Sequence, residues 1–305
     1  MDFHFENNTI KIIHQNKTFH LHPIWWRERL PGEKYFDLDT NQRLYEPSSI
    51  DLKLKIENCT LTDNKLDVEF NDGAQGQYRL DDLLIEMDEE KNKRGPLPKR
   101  ILWNSQLEDL PEAIFEVDMV EQESMYNLLI DFYKYGFVII KNVPTESKYL
   151  LKFVKSIGPV KVTNFGEFFD VMSKPNPNDL AYKPIALPPH TDNPYRKPEA
   201  PGIQFLHCLK NEVSGGFSTL VDGFSVAEYI KLNEPEAFES LTKTNLRYRF
   251  QDKDIILENW GELIELDKDG DYKQVRYSTR VDYVPPLETE KLESFYKARN
   301  LLGNL

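Results

Sequence analysis

Residues 187–196 read Leu187-Pro-Pro-His190-Thr-Asp192-Asn-Pro-Tyr-Arg196 and place a histidine and an aspartate two positions apart in a proline-flanked stretch. Prolines favour extended backbone. In an extended strand, residues two positions apart point to the same face. An imidazole and a carboxylate on one face can bind one cation together. The pair therefore predicts two of the three ligands of a 2-His-1-carboxylate site for Fe(II).

A second interpretation of this pair needs no metal. His190 could be a loop histidine beside an aspartate that caps the Asn193-Pro194 turn, and a His-x-Asp pattern is common by itself. The surroundings favour a ligand site, because prolines stiffen the chain on both sides of the pair. Downstream, Gly215-Gly216 followed by Ser218 predicts a tight turn where backbone and hydroxyl meet a ligand.

The composition indicates a globular protein that does not bind nucleic acid. Of 305 residues, 40% are hydrophobic and 12% are aromatic, which excludes a disordered chain. The net charge is −13, and no lysine or arginine stripe would follow a phosphate backbone. The first residues lack a basic region and an apolar leader, and no apolar run approaches the roughly 18 residues that a membrane helix needs. We therefore expect a soluble, cytoplasmic protein.

The sequence predicts two domains. Residues 1–93 read as short strands and turns, as in Thr9-Ile-Lys-Ile-Ile and Leu66-Asp-Val-Glu-Phe, and predict a small β-rich domain. A charged and then proline-broken stretch from Asp88 to Lys99 predicts a linker, with a solvated loop inside one domain as the alternative. Residues 94–305 form the second predicted domain.

In residues 94–305 no regular alternation of strand and helix of the βαβ kind is found. The patterns predict helices at 121–135, 225–242 and 288–301, and strands at Phe137–Ile140, Gly202–His207, Ser218–Val221 and Gln274–Ser278. Strands outnumber helices around His190. The predicted fold class is therefore mostly β (α+β), a β-sandwich or jelly roll with flanking helices, plus the small β-rich N-terminal domain.

Two longer motifs carry a resemblance to a known family. They read His190-Thr-Asp192-Asn-Pro-Tyr-Arg-Lys-Pro-Glu-Ala-Pro-Gly202-Ile-Gln-Phe-Leu-His207-Cys-Leu and Gly215-Gly216-Phe-Ser218-Thr-Leu-Val-Asp222-Gly-Phe224. The chain resembles the γ-butyrobetaine dioxygenase family of Fe(II)/2-oxoglutarate-dependent oxygenases, within the taurine dioxygenase superfamily. The resemblance covers nearly the whole chain, and Pro23-Ile-Trp-Trp-Arg-Glu-Arg resembles the family's N-terminal domain. It implies a double-stranded β-helix, or jelly roll, for the second domain.

The resemblance also implies roles for single residues. His190 and Asp192 match the proximal iron ligands. Ser218 matches a hydroxyl near the 2-oxoglutarate carboxylate, with a turn-capping serine as the alternative. His207 matches a position that is not a ligand, so we interpret it as a packed core histidine. Asp222 is interpreted as a turn and cap residue rather than a catalytic acid.

The aromatic residues before the iron motif match the family's substrate cage. A trimethylammonium group donates no hydrogen bond, so proteins hold it against aromatic faces through cation–π attraction. Phe165, Phe169 and Tyr182 fall where the family places its cage, and core packing is their ordinary alternative. Asp179 falls where γ-butyrobetaine enzymes commonly carry an amide. A carboxylate there could strengthen cation binding or select a substrate with a second positive group.

The chain departs from the family at a zinc site. Many relatives bind a structural zinc through a cysteine cluster, but the equivalent stretch, Arg29-Leu-Pro-Gly-Glu-Lys-Tyr, contains no cysteine. Only Cys59 and Cys208 are present, which excludes a thiolate metal site and a disulfide framework. Structural zinc is therefore not expected.

The second departure concerns the third iron ligand. Relatives carry a distal histidine and a 2-oxoglutarate-binding arginine beyond the helix that matches Phe295-Tyr-Lys-Ala-Arg299, in C-terminal jelly-roll strands that are missing here. All six histidines lie at positions 4, 14, 20, 22, 190 and 207. Three explanations are open. The favoured one is a truncated sequence; the others are a natural relative that binds ligand without turnover, and a site completed by His207 or an N-terminal histidine of this or another chain.

The functional prediction follows from the resemblance. We expect an enzyme that uses Fe(II), 2-oxoglutarate and O₂ to hydroxylate a trimethylammonium carboxylate, with γ-butyrobetaine to L-carnitine as the first choice. The alternatives are trimethyllysine or another quaternary amine as substrate, and a non-catalytic betaine-binding relative. The resemblance also implies a homodimer.

Overall fold

A computed structural model describes residues 2–14, 17–87, 97–116, 122–172, 175, 182–183, 185–196, 202–212, 214–215 and 217–305. The chain separates into two compact units, residues 1–97 and 98–305. The predicted boundary after residue 93 falls within 88–96, which lie outside the described residues.

Where it is described, the first unit is built from two antiparallel three-stranded meanders and two short α-helices. The strand orders are β1-β2-β3 and β6-β7-β8, and a two-stranded ribbon, β4-β5, lies between them in sequence. The elements are β1 (Asp2–Glu6), β2 (Thr9–His14), β3 (Lys17–Leu21), α1 (Pro23–Arg27), β4 (Phe36–Asp37), β5 (Gln42–Arg43), β6 (Ile56–Thr62), β7 (Lys65–Phe70), β8 (Gln75–Arg79) and α2 (Leu80–Met87).

The core of this unit follows from strict alternation along β7. Leu66, Val68 and Phe70 are buried while the residues between them are exposed, because successive side chains of a strand point to opposite faces. Trp26 of α1 is also fully buried, and the Tyr78 hydroxyl donates a 2.5 Å hydrogen bond to its carbonyl. The predicted strands at Thr9 and Leu66 are confirmed.

The described residues of the second unit form five α-helices and several short sheets. The sheet β12-β11-β15 is antiparallel, β13 and β14 form a hairpin, and β9 pairs in parallel with β10. The elements are β9 (Glu112–Ile114), α3 (Gln122–Tyr135), β10 (Ile139–Lys141), α4 (Tyr149–Ile157), α5 (Gly223–Asn233), α6 (Pro235–Lys243), β11 (Leu246–Gln251), β12 (Ile256–Gly261), β13 (Ile264–Leu266), β14 (Tyr272–Val275), β15 (Asp282–Tyr283) and α7 (Thr289–Asn304).

The predicted helices of this unit are confirmed, and their ends have local causes. Gly136 adopts φ +77° directly after α3, a conformation that favours glycine at a helix end. Asp222 caps α5 by accepting hydrogen bonds from the Phe224 and Ser225 backbone N–H groups. The predicted helix at 225–242 is two helices, because Pro235 opens α6 at its first position.

Two predicted strands are wrong. Neither Gly202–His207 nor Ser218–Val221 is a regular strand. Their apolar side chains Ile203, Leu206 and Leu220 are exposed. Alternating apolar residues fit a pleated, half-buried surface, but a strand also needs a neighbouring backbone for its ladder, and within the described ranges neither segment is paired.

The α+β part of the predicted fold class is confirmed. The chain is less dominated by strands than "mostly β" implies, because among the described residues helices contribute at least as many residues as strands do. The described residues include no closed barrel, and the jelly roll stays a prediction. Across the part of the chain that is described, each helix is too short or too polar to cross a lipid bilayer.

Burial across the β6–β7 ladder predicts unequal effects of two leucine substitutions. Leu66 is fully buried, whereas its cross-strand partner Leu61 is 41% exposed. Leu66→Ala should lower the free energy of unfolding by about 2–5 kcal/mol, because it leaves a core cavity. The matched Leu61→Ala should cost less than about 1 kcal/mol. Urea denaturation of the whole chain measures both, and equal losses would contradict the assigned faces of β7.

Candidate active site

His190 and Asp192 converge on one point. Their side-chain atoms Nε2 and Oδ1 lie 3.2 Å apart, and both side chains are partly exposed. Two neighbouring ligands of an octahedral cation, each about 2.1 Å from it, are about 3.0 Å apart. The spacing therefore fits a cation bound by both atoms.

The other nitrogen of His190 fixes the orientation of the ring. Nδ1 lies 2.8 Å from the Pro188 carbonyl oxygen. Because a carbonyl only accepts, Nδ1 carries the hydrogen of this bond, and Nε2 is the nitrogen that faces Asp192. A metal-binding histidine is commonly oriented in this way by a backbone carbonyl. Pro188 thus contributes an acceptor as well as a stiff backbone.

Asp192 is also held by residues outside the 187–196 segment. Its second oxygen, Oδ2, accepts a 3.0 Å hydrogen bond from Nε2 of Gln204. The backbone next to Asp192 is held by the Thr191 N–H group, which donates a 2.7 Å hydrogen bond to the Tyr277 carbonyl. The pair is therefore attached to two distant parts of the second unit.

The turn after Asp192 depends on a buried amide. Asn193 adopts φ +51°, in the left-handed region that asparagine tolerates better than most residues. Asn259 of β12 is only 4% exposed. Its Nδ2 donates hydrogen bonds of 3.2 Å to the Pro194 carbonyl and 3.0 Å to the Arg196 carbonyl. This one side chain closes the turn from inside the core.

Four aromatic rings connect the predicted cage to the metal motif. Phe165 lies 5.4 Å from Phe169 and 6.0 Å from Phe250, measured between ring centroids. Tyr195 stacks on Phe250 at 5.1 Å. Phe169 is exposed and Phe165 half-buried, so the exposed end of this ring chain can receive a ligand.

The other predicted site residues are linked less clearly to the His190–Asp192 pair. Tyr182 is 4% exposed, so little of its ring is open to a ligand as the chain stands. Ser218 is exposed and lies in the irregular segment, residues 217–222, that precedes α5. Asp179 lies outside the described residues. Asp222 is confirmed as a cap residue, and its second oxygen also accepts from the Trp103 N–H group at 3.0 Å.

The third iron ligand is not found among the described residues. In those ranges, no group of three histidine, cysteine, aspartate or glutamate side chains is arranged to hold a metal ion. His207 is half-buried with its Nε2 atom enclosed, and it forms no such group with His190 and Asp192. Completion of the site by His207 is therefore not supported.

An ion pair lies beside Tyr277, just after the C-terminal end of β14. The Arg276 guanidinium is buried and contacts Glu265 at 2.5 Å, while Lys273 contacts the same carboxylate at 2.7 Å. Burial acts to raise the pKa of Glu265, but the hydrogen bonds and charges of Lys273 and Arg276 lower it overall. The Tyr248 hydroxyl donates to the Arg276 carbonyl at 3.0 Å, and burial raises the pKa of that hydroxyl.

Sequence reasoning missed Gln204, Asn259 and Tyr277. Asn259 gave a usable signal, because it is a polar residue at an inward-facing position of a strand, and such residues need a buried partner. The role of Tyr277 could not be predicted from its residue type, because only its backbone carbonyl contacts Thr191. Gln204 lies inside the quoted motif, but nothing in the sequence showed that its amide meets Asp192.

The structure brings two candidate metal ligands together, and comparison with known proteins places the chain in a family. Residues 109–302, more than half of the chain, match the model of the "Taurine catabolism dioxygenase TauD, TfdA family". The chain belongs to this family. The resemblance stated from the His190–Phe224 motifs is therefore confirmed.

Individual relatives point to two related enzymes. The chain is 31% identical to trimethyllysine dioxygenase, mitochondrial, of Bos taurus over 85% of this chain and 59% of the bovine protein. It is 28% identical to gamma-butyrobetaine dioxygenase of Pseudomonas sp. (strain AK-1) over 91% of this chain and 73% of that protein. The human gamma-butyrobetaine dioxygenase is 27% identical over 95% and 77%. The chain thus spans less than two thirds of the bovine protein.

The Asn259 clamp can be tested by removing only its hydrogen bonds. Asn259→Leu keeps the size of the side chain but leaves the Pro194 and Arg196 carbonyls without this donor. It should lower the free energy of unfolding by about 1–3 kcal/mol. Asn233→Leu is the control, because the Asn233 amide bonds an exposed carbonyl at the end of α5, and it should change stability by less than about 0.5 kcal/mol. Equal effects in chemical denaturation would contradict a special role for Asn259.

Proposed function

We propose that the protein is an Fe(II)/2-oxoglutarate-dependent oxygenase that hydroxylates a small molecule carrying a quaternary ammonium group. The observation that carries this proposal is the 3.2 Å approach of His190 Nε2 to Asp192 Oδ1, with Nδ1 of the ring engaged by Pro188. Family membership and the names of the relatives support the same reaction class.

The chemistry divides between cofactor and chain. When bound, Fe(II) would activate O₂ as the oxidant and 2-oxoglutarate would be the co-reductant: one oxygen atom would go to a substrate C–H bond and the other to succinate, with loss of CO₂. His190 and Asp192 hold the metal. Ser218 is proposed to contact a 2-oxoglutarate carboxylate, for which its exposed hydroxyl is accessible. The protein contributes position and exclusion of water.

The aromatic residues are proposed to hold the ammonium end of the substrate. Phe165 and Phe169 lie in contact, and through Phe250 they reach Tyr195, which follows the iron ligands. Attraction of a quaternary ammonium to each ring contributes roughly 0.5–2 kcal/mol. Tyr182 completes the proposed cage if its ring becomes accessible when substrate binds. Asp179 stays a proposed substrate-binding residue by resemblance alone.

The first substrate choice is γ-butyrobetaine, which would give L-carnitine. Trimethyllysine is the second choice, because Asp179 is a carboxylate at a sequence position where γ-butyrobetaine enzymes commonly carry an amide, and a carboxylate would favour a second positive group. The relatives include enzymes named for each of these substrates. Both choices share the trimethylammonium group, so both require the same cage.

A non-catalytic betaine-binding protein is the second candidate function. One observation favours it: two metal ligands, rather than three, are brought together among the described residues. The two candidates differ in what the metal pair does. In an oxygenase, removal of His190 abolishes turnover; in a binding protein, it leaves betaine affinity unchanged.

Metal binding tests the first part of the proposal. His190→Ala and Asp192→Ala should each abolish stoichiometric Co(II) or anaerobic Fe(II) binding in calorimetry, because one remaining ligand cannot hold the cation. His207→Ala is the matched control and should bind metal like the unaltered chain. Equal metal binding by the unaltered chain and all three variants would show that the metal site does not include His190 and Asp192.

Substrate selectivity tests the second part. Succinate formation should be stimulated by γ-butyrobetaine or trimethyllysine, and much less by 5,5-dimethylhexanoate, the uncharged carbon isostere of γ-butyrobetaine. Phe169→Ala should raise KM for the quaternary amine by about 2- to 30-fold, the equivalent of one cation–π contact. Phe168→Ala, which removes the neighbouring ring, should change it little. Preference for the uncharged isostere would contradict an ammonium cage.

A further inference from the structure

We propose that Gln204 is a positioning residue that determines which oxygen of Asp192 faces the metal. This inference rests on the metal site of the proposed function and goes beyond it, because it assigns a role to a side chain outside the ligand pair.

The two Asp192 oxygens are held in distinct environments. Oδ1 lies 3.2 Å from His190 Nε2, and Oδ2 accepts the Gln204 amide at 3.0 Å, a normal hydrogen-bond length. The χ2 torsion of aspartate is broad and two-fold, so a free carboxylate exchanges its oxygens easily. The amide removes this equivalence and leaves Oδ1 as the oxygen that faces the histidine.

The backbone around Gln204 holds the amide in place. Gln204 is exposed, whereas its neighbour Phe205 is half-buried. Phe205 packs edge-on against buried Phe153, with 6.2 Å between ring centroids. Gly202, two residues earlier, adopts φ +75° and turns the chain into this stretch. The core contact of Phe205 therefore anchors the segment that presents Gln204 to Asp192.

The hydrogen bond has a chemical consequence at the metal. A carboxylate that binds through one oxygen occupies one coordination position, whereas one that binds through both occupies two. By engaging Oδ2, Gln204 keeps Asp192 to one position and leaves the others for small-molecule ligands. Groups that orient metal ligands commonly change metal affinity by about 10- to 100-fold when removed.

The test uses Co(II) alone as the probe and the whole chain as the protein. Gln204→Met keeps an unbranched side chain of similar length but removes the amide. It should weaken Co(II) binding by about 10- to 100-fold in calorimetry and shift the visible absorption bands of bound Co(II), which report coordination number. Since Gln204 is exposed, the unfolding midpoint should stay nearly unchanged.

A matched control exists in the first unit. Gln77 Nε2 donates a 2.9 Å hydrogen bond to Asp67 Oδ1, the same pair of groups on a plain sheet surface. Gln77→Met should leave Co(II) affinity and spectrum unchanged. Gln204→Leu, which also lacks the donor but differs in shape, should reproduce the loss seen with Gln204→Met.

The outcomes separate this inference from the proposed function. Co(II) binding by Gln204→Met within twofold of the unaltered chain, with the same spectrum, would overturn the role of Gln204 while the metal site stands. A loss in only one of the two Gln204 variants would assign the effect to packing and also overturn it. An unaltered chain that binds no Co(II) would overturn the proposed function itself, and with it the role of Gln204.

Discussion

The hydrogen bond from the Thr191 N–H group to the Tyr277 carbonyl, 2.7 Å long, is the contact on which the candidate site depends. Extended spacing puts His190 and Asp192 on one face of their own segment, but it does not say where that face points. The bond to Tyr277 attaches the segment to the end of the β13–β14 hairpin. Because Tyr277 offers a carbonyl next to the buried Arg276–Glu265 pair, the position of the motif is determined by the folding of the hairpin. A local pattern thus acquires its orientation from a residue 86 positions away.

The second attachment works through backbone carbonyls as well. Asn259 contacts Pro194 and Arg196 only through their main-chain oxygens, so the side chains of the turn remain available for other contacts. Tyr195 uses this freedom to stack on Phe250, and Arg196 donates a hydrogen bond to Asn164, next to Phe165. The Asn259 side chain, which closes the turn at 193–196, therefore also holds this turn against the segment that carries Phe165. One buried amide serves both parts of the site.

The sequence predicted local features well and pairing partners poorly. The helices at 122–135 and 289–304 and the strands around Thr9 and Leu66 follow from periodicity, which depends on neighbours in sequence. The segments 202–207 and 218–221 have the composition of strands, but a strand exists only with a second backbone, and composition contains no information about that partner. The same limit applies to the site. The His190–Asp192 pair was visible because its geometry is local, whereas Gln204, Asn259 and Tyr277 act across the chain and two of them act on backbone atoms.

The ring contacts restrict how the proposed site could select a substrate. Phe169, Phe165, Phe250 and Tyr195 form one continuous series of rings that ends three residues after Asp192. An ammonium group held at the exposed end of this series would lie at a fixed span from the metal ligands, because each ring is packed against the next. The span would choose the carbon that reacts, whatever is attached beyond it. Aromatic faces recognise only the charge and shape of the ammonium end, so two substrates that share this end are not separated by the cage. Discrimination between them must therefore come from polar groups at the opposite end, where a hydrogen-bonding site rejects a mismatched group far more strongly than an apolar surface does.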